Sequence, residues 1–236
     1  MKKNKEIFML FVFSCVLQTY FFYLQNKIES PFPYMLGIWQ DSNETGFLYM
    51  EILAIYIPLY FVVLYFKDYY SFYMENYGRL CLIRLGNRTS IVIKLYVQMV
   101  KMIISMEIIQ WGIWMIWRYD YFVENRKTVL LGMVLYFFIL LWIAAAEVCF
   151  STYVKEGALL VLINVYILIS MFVHWIFQGK CIIYIFFPGV ILKGSKLIQK
   201  VINQDLCMKL SMIYIGFMIF LFFLTTKTRF EKRDIF

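Results

Sequence analysis

Long apolar stretches alternate with short polar ones along the chain. Six of the apolar runs reach the length of about 20 residues that a helix needs to cross a membrane. Lipid-facing backbone must be hydrogen-bonded within its own segment, and the ten-residue alternation of a barrel strand is not found in the sequence. The pattern predicts an all-α fold, a single transmembrane domain over residues 1–236 with six membrane-spanning helices. The predicted spans are 7–24, 47–66, 91–117, 129–150, 157–177 and 206–226.

Composition agrees with a membrane protein. Of the 236 residues, 63% are hydrophobic and 21% are aromatic, whereas a soluble domain is roughly 45–50% apolar. The basic start "MKKNK" is followed by an apolar run that continues through "QTYFFYL". Bulky aromatics stand where a signal peptide would carry small residues for cleavage. We therefore expect the first run to be a retained span.

Positive charge is unevenly divided between the connections. Thirteen lysines and arginines fall on the side that holds both termini, and eight fall on the other side. Cytoplasmic connections carry the excess of positive charge. The count predicts that both termini are cytoplasmic, which requires an even number of spans.

Two connections are predicted to lie on the outside. Residues 25–46 contain two prolines and several turn residues, and this pattern is typical of an ordered loop. In residues 178–205, "CIIYIFF" is too short to span, and Pro188 and Gly189 interrupt it. The amphipathic segment that follows favours an interfacial helix or re-entrant hairpin over two further spans.

The connection between the second and third runs carries the densest positive charge. Its aromatic first part, "KDYYSFYMENYG", predicts a short interfacial helix that ends at Gly78, and Thr89 or Ser90 is expected to cap the next helix. The positive-inside rule alone is one explanation for the basic residues. Docking of a partner is the other, since an aromatic patch rimmed by arginine is typical of a protein interface. The basic residues are Arg79, Arg84, Arg88 and Lys94.

Polar side chains inside the spans are candidates for a transport pathway or a subunit interface. Lys94, Gln98 and Lys101 recur at helical spacing and, with Ser105, predict one polar stripe on the third span. Such groups cost free energy in lipid unless they face protein or water. The alternative is that the lysines extend to the membrane surface and that one contact serves helix packing. The further candidates are Glu107 and Gln110 on a neighbouring face, and Glu147 after three alanines in the fourth span.

The residues give little support to an enzyme. His174 is the single histidine, the H-E-x-x-H pattern of a metalloprotease is not found, and the five cysteines form no C-x-x-C pair. The nearest approach to a nucleotide-binding P-loop, "GVILKGSK", has serine where lysine is required. We expect no metal, no cofactor and no nucleic acid to be bound by this chain. A cysteine peptidase formed by His174 and Cys181 is a minor alternative.

The stretch "YGRLCLIRLGNRTSIVIK" resembles the cytoplasmic loop of export-type ABC transporter permeases, above all the small permeases of bacteriocin and lantibiotic immunity or peptide export. Those permeases show a glycine, an "iR.g.R" segment and a lysine that opens the third span. The segment "IFFPGVILKG" is similar to their re-entrant element, and "FEKRDIF" resembles their "F..kDI" ending. The resemblance covers the whole chain as topology. The matching loop positions are Gly78, Ile83, Arg84, Gly86, Arg88 and Lys94, and those of the ending are Phe230, Lys232 or Arg233, Asp234 and Ile235.

The resemblance implies a coupling helix at residues 68–79 that docks on a separate ABC ATPase subunit. It further implies that ATP and magnesium are bound by that partner, that the permease pairs with a second copy or a similar permease, and that the assembly lies in a bacterial cell membrane. An antimicrobial or signalling peptide, or another amphipathic molecule, would be exported. The implied coupling residues are Tyr73, Tyr77, Arg79, Arg84 and Arg88.

Two functions of other classes remain open at this point. The first is a substrate-binding membrane subunit of an uptake transporter, which also has six spans and uses a partner ATPase. The second is a membrane scaffold or sensor that transports nothing. Co-purification of an ATPase separates the scaffold from both transporters, and a dimer of permeases separates the exporter from the uptake subunit.

Overall fold

A computed structural model describes residues 2–24, 45–67, 69–73, 88–124, 126–176 and 204–232. This part of the chain is helical apart from short turns and contains no strand, so the predicted all-α class is confirmed. The helices are α1 (Lys2–Leu24), α2 (Thr45–Phe66), α3 (Tyr69–Tyr73), α4 (Arg88–Glu124), α5 (Arg126–Phe150), α6 (Glu156–Ile176) and α7 (Gln204–Lys232).

Three helical segments in the described residues are long enough and apolar enough to cross a membrane. They are Met133–Phe150, Glu156–Val173 and Met212–Phe230, in α5, α6 and α7. The apolar part of α1, Glu6–Tyr20, is shorter. Each of the six apolar runs in the sequence coincides with one of the long helices.

The predicted connections are described only in part. Most of the two outer connections, 25–44 and 177–203, lies outside the described residues, as does the 74–87 part of the predicted coupling segment. The helix predicted within that segment is described at Tyr69–Tyr73. The predicted cap at Thr89 or Ser90 is wrong, because α4 already begins at Arg88.

Helix α5 is the centre of the bundle. It contacts α2, α4, α6 and α7, and 72% of its Met133–Phe150 segment is buried, against 33% and 22% for the candidate spans of α6 and α7. A helix that is apolar on every side is suited to such a position. The small side chains of Ala144, Ala145 and Ala146 are fully or almost fully buried, and small residues let neighbouring backbones approach closely.

Polar contacts bring the ends of α4, α5 and α7 to one level. The hydroxyl groups of Tyr96 in α4 and Thr226 in α7 are 3.1 Å apart. The Cys149 sulfur in α5 lies 2.9 Å from the Thr225 hydroxyl, and the Arg229 guanidinium stands 4.5 Å from the centre of the Tyr153 ring. The Ser71 hydroxyl also bonds to the Glu156 carboxylate. Residues 67–73, 88–96, 151–156 and 225–230 thus share what we call the basic end of the bundle, after its exposed Lys94, Lys155 and Arg229.

A hydrogen bond far from this end joins α2 to α6. The Tyr56 hydroxyl donates to the Asn164 side-chain oxygen at 2.7 Å, and the Asn164 amide donates to the Leu160 carbonyl at 2.7 Å. Both polar functions of the asparagine are therefore bonded inside an otherwise apolar helix.

We expect Ala145→Leu to destabilise the bundle, because the added side chain must fit between packed helices, a change that typically costs about 1–3 kcal/mol. Thermal unfolding of the purified chain in mild detergent measures the effect. The matched control is Ala158→Leu, the same substitution at an exposed position of α6. Equal melting temperatures for the two variants would show that the alanine run is not a close helix contact.

Candidate functional site

The predicted coupling residues lie at the edge of the described structure. Tyr73 is the last residue of α3 and Arg88 is the first residue of α4. Their side chains, and Tyr77, Arg79 and Arg84 entirely, lie outside the description. The role of all five residues therefore stays a prediction.

The start of this connection is packed against the bundle. Tyr69 and Tyr70 are each 7% exposed, and the rings of Phe66 and Tyr69 meet edge to face with centroids 5.2 Å apart. The sequence suggested an exposed aromatic patch, and for these two tyrosines that is wrong. Aromatic rings bury large apolar areas, and the Tyr69 ring packs on Phe66 at the end of α2.

A side-chain contact fixes α3 to another helix. The Ser71 hydroxyl donates a hydrogen bond to the carboxylate of Glu156, which is the first residue of α6. A carboxylate at a helix N-terminus is also stabilised by the helix dipole. The connection between α2 and α4 is therefore attached to the connection between α5 and α6.

The polar residues of α4 fall into two sets on opposite sides of the helix. Lys94, Gln98 and Lys101 form the outward set, which is exposed on the surface of the bundle. They make no hydrogen bond or ion pair with any residue that the structure describes. Their spacing agrees with the stripe predicted from the sequence, and the stripe faces away from the bundle.

The inward set lies inside the bundle. Glu107 is 9% exposed and Gln110 is fully buried. Glu147, which belongs to the neighbouring α5, is fully buried as well. The Gln110 amide donates to the Tyr136 hydroxyl at 2.9 Å. One glutamine thus connects α4 and α5. Use of either set in transport stays a prediction.

Sequence reasoning missed several residues that form the polar contacts between helices, among them Asn164, Tyr136 and Tyr56. Asn164 could have been found, because an amide within an apolar run is a recognised sign of a buried polar contact. Tyr136 and Tyr56 gave no such signal, since 21% of the chain is aromatic and tyrosine is common in every run.

Potential metal ligands and nucleophiles are few in the described residues. No group of three or more His, Cys, Asp and Glu side chains that would hold a metal ion is found in the described part of the chain. Cys15 and Cys149 are buried free thiols. Cys181 and the side chain of His174, the pair in the peptidase alternative, lie outside the described residues.

We expect Tyr136→Phe to lower the free energy of unfolding by about 1 kcal/mol, because it removes the hydroxyl that accepts from Gln110. The same change at Tyr119, which is 63% exposed, is the control and should leave stability unchanged. Unfolding in detergent under denaturant measures both variants. A Tyr136→Phe protein as stable as the wild type would mean that this bond does not hold α4 on α5.

A known protein family matches most of the chain. A family model covers residues 11–236, and the family, DUF2705, is described as "Protein of unknown function". Neither a curated protein nor a solved structure matches the chain. Because the match runs through all the described helices, the chain belongs to the DUF2705 family.

Proposed function

We propose that this chain is the membrane-spanning permease subunit of an ATP-driven exporter, with six spans and both termini in the cytoplasm. The observation that carries the proposal is the anchored start of the 67–90 connection. Helix α3 is packed on the bundle by Tyr69 and Tyr70 and is bonded to α6 through Ser71 and Glu156.

A coupling element must be firmly attached to the membrane-spanning helices. A force applied by a nucleotide-driven partner reaches the spans only if the docking segment is attached to them by a stiff contact. Retention of positive charge in the cytoplasm, the alternative explanation for this connection, requires only basic residues. Charge retention gives no reason for the buried tyrosines or for the bond between α3 and α6.

The placement of the other helices supports the proposed six-span arrangement. Helix α2 packs on α5 and α6, and α4 packs on α5 and α7, so both lie beside candidate spans. Helix α4 has 37 residues and is about 55 Å long, which exceeds the roughly 30 Å hydrocarbon core. We propose that α1, α2 and α4 cross with α5, α6 and α7.

The proposed assembly contains two permease chains and a partner ATPase that binds ATP and magnesium. The substrate class, an antimicrobial or signalling peptide or another amphipathic molecule, comes from the resemblance of the 77–94 segment to exporter permeases. The exposed cations of the basic end, Lys94, Lys155 and Arg229, are consistent with a cytoplasmic surface.

We expect a tagged wild-type chain, purified in mild detergent from its native cell, to bring down a P-loop ATPase of comparable abundance. Arg84→Glu with Arg88→Glu should reduce the recovered ATPase at least about tenfold, because charge reversal at an interface costs 1.4 kcal/mol or more. The matched control, Arg126→Glu with Lys127→Glu, reverses two charges at the start of α5, which follows the other end of α4, and should retain the ATPase.

The orientation of each variant must be checked by labelling of single cysteines, since reversed charges also act on topology. Absence of an ATPase from the wild-type sample would reject the exporter and favour the scaffold or sensor. Recovery with both variants would reject the docking role of the arginines alone. A single permease chain per complex would favour the uptake subunit.

We expect Ser71→Ala and Glu156→Ala to keep the ATPase bound but to uncouple it. Loss of the contact between α3 and α6 should reduce the stimulation of ATP hydrolysis by the permease about fivefold, the lower range of typical coupling free energies. Ser151→Ala is the control, since its hydroxyl bonds only to the Val148 carbonyl one turn earlier. Unchanged stimulation in both test variants, measured in lipid nanodiscs, would contradict transmission through this contact.

A further inference from the structure

The outward face of α4 changes in character along its length. At the basic end it presents Lys94, Gln98 and Lys101, all exposed. These side chains follow one another at i, i+4 and i+7, so they cover one side of the helix over about 11 Å. Further along, the same face presents Ile108 and Ile116, which are 65% and 80% exposed.

The contact between α4 and α7 locates the lysines of this face relative to the basic end. Tyr96, bonded to Thr226, marks the level at which α4 and α7 meet at the basic end. Lys94 lies about 3 Å beyond that level and Lys101 about 8 Å inside it. A lysine at such a depth extends its charged end toward the lipid headgroups while its stem lies on apolar surface.

We infer that the outward face of α4 is a binding site for an anionic phospholipid of the leaflet at the basic end. The ammonium groups of Lys94 and Lys101 hold the headgroup phosphate, and the Gln98 amide donates to its oxygens or to those of the glycerol ester. The acyl chains lie along Ile104 and Ile108. The inference requires that α4 crosses the membrane, and it is independent of an ATPase partner.

Charge argues for a lipid rather than a second copy of the chain on this face. A two-fold symmetric contact uses the same patch on both copies, so it would bring two pairs of lysines together. The next exposed acid along α4 is Asp120, about 28 Å from Lys101. Like charges with no acid among them oppose association, whereas each lysine near an anionic lipid surface favours binding.

Native mass spectrometry of the purified full-length chain tests the site. The chain is titrated in detergent with phosphatidylglycerol or with phosphatidylcholine, and bound lipid is counted. We expect the wild type to prefer phosphatidylglycerol. Lys94→Gln with Lys101→Gln should weaken its binding at least tenfold, because each lysine near an anionic lipid contributes about fivefold.

The control pair is Lys67→Gln with Lys155→Gln, which removes the same charge from the same end but off this face. Its affinity should fall less than about threefold. Equal weakening by both pairs would show that the anionic lipid is held only by the general positive charge of the basic end, and it would overturn the inference. So would equal affinity of the wild type for the two lipids. Conversion of a dimer to a monomer by the α4 pair, with lipid binding unchanged, would assign the face to a second copy.

Discussion

The burial of residues 139–149 of α5 on every side is the constraint on which the rest of the structure depends. A helix in contact with α2, α4, α6 and α7 at once fixes where those four helices lie. Glu147 is fully buried on this helix, directly after the alanine run, and a carboxylate in such a place is costly unless protein groups surround it. This turn of α5 is therefore sensitive to side-chain volume at the alanines and to charge at Glu147.

Apolar burial alone does not set how the helices are aligned, because lipid is as apolar as leucine and gives helices no hydrophobic reason to associate. Cross-helix polar contacts supply the alignment. Gln110 and Tyr136 connect α4 to α5 at one depth. Tyr96 and Thr226 connect α4 to α7 at another, and Tyr56 with Asn164 connects α2 to α6. Each contact is modest in free energy, and together they restrict sliding and rotation.

Apolar run length predicted the helices well, since a span must have a minimum length and its polar ends are plain in the sequence. The run 129–150 anticipates α5 to within a few residues. The period of 3.6 also placed Lys94 and Lys101 on one side of α4. Which side faces inward could not be read from α4 itself, because it depends on Tyr136 and Thr226, which lie in other helices.

Two contacts make α2, α3 and α6 into one mechanical unit. Ser71 and Glu156 join α3 to α6 at the basic end, and Tyr56 with Asn164 joins α2 to α6 deeper in the bundle, about 12 Å further along α6. Two attachments at different depths resist both tilting and sliding between these helices. A single attachment would still let the helices tilt about it. If the 67–90 connection docks on a partner, a displacement there moves α2, α3 and α6 together. Helix α5 then stays in place, and the three helices move relative to it.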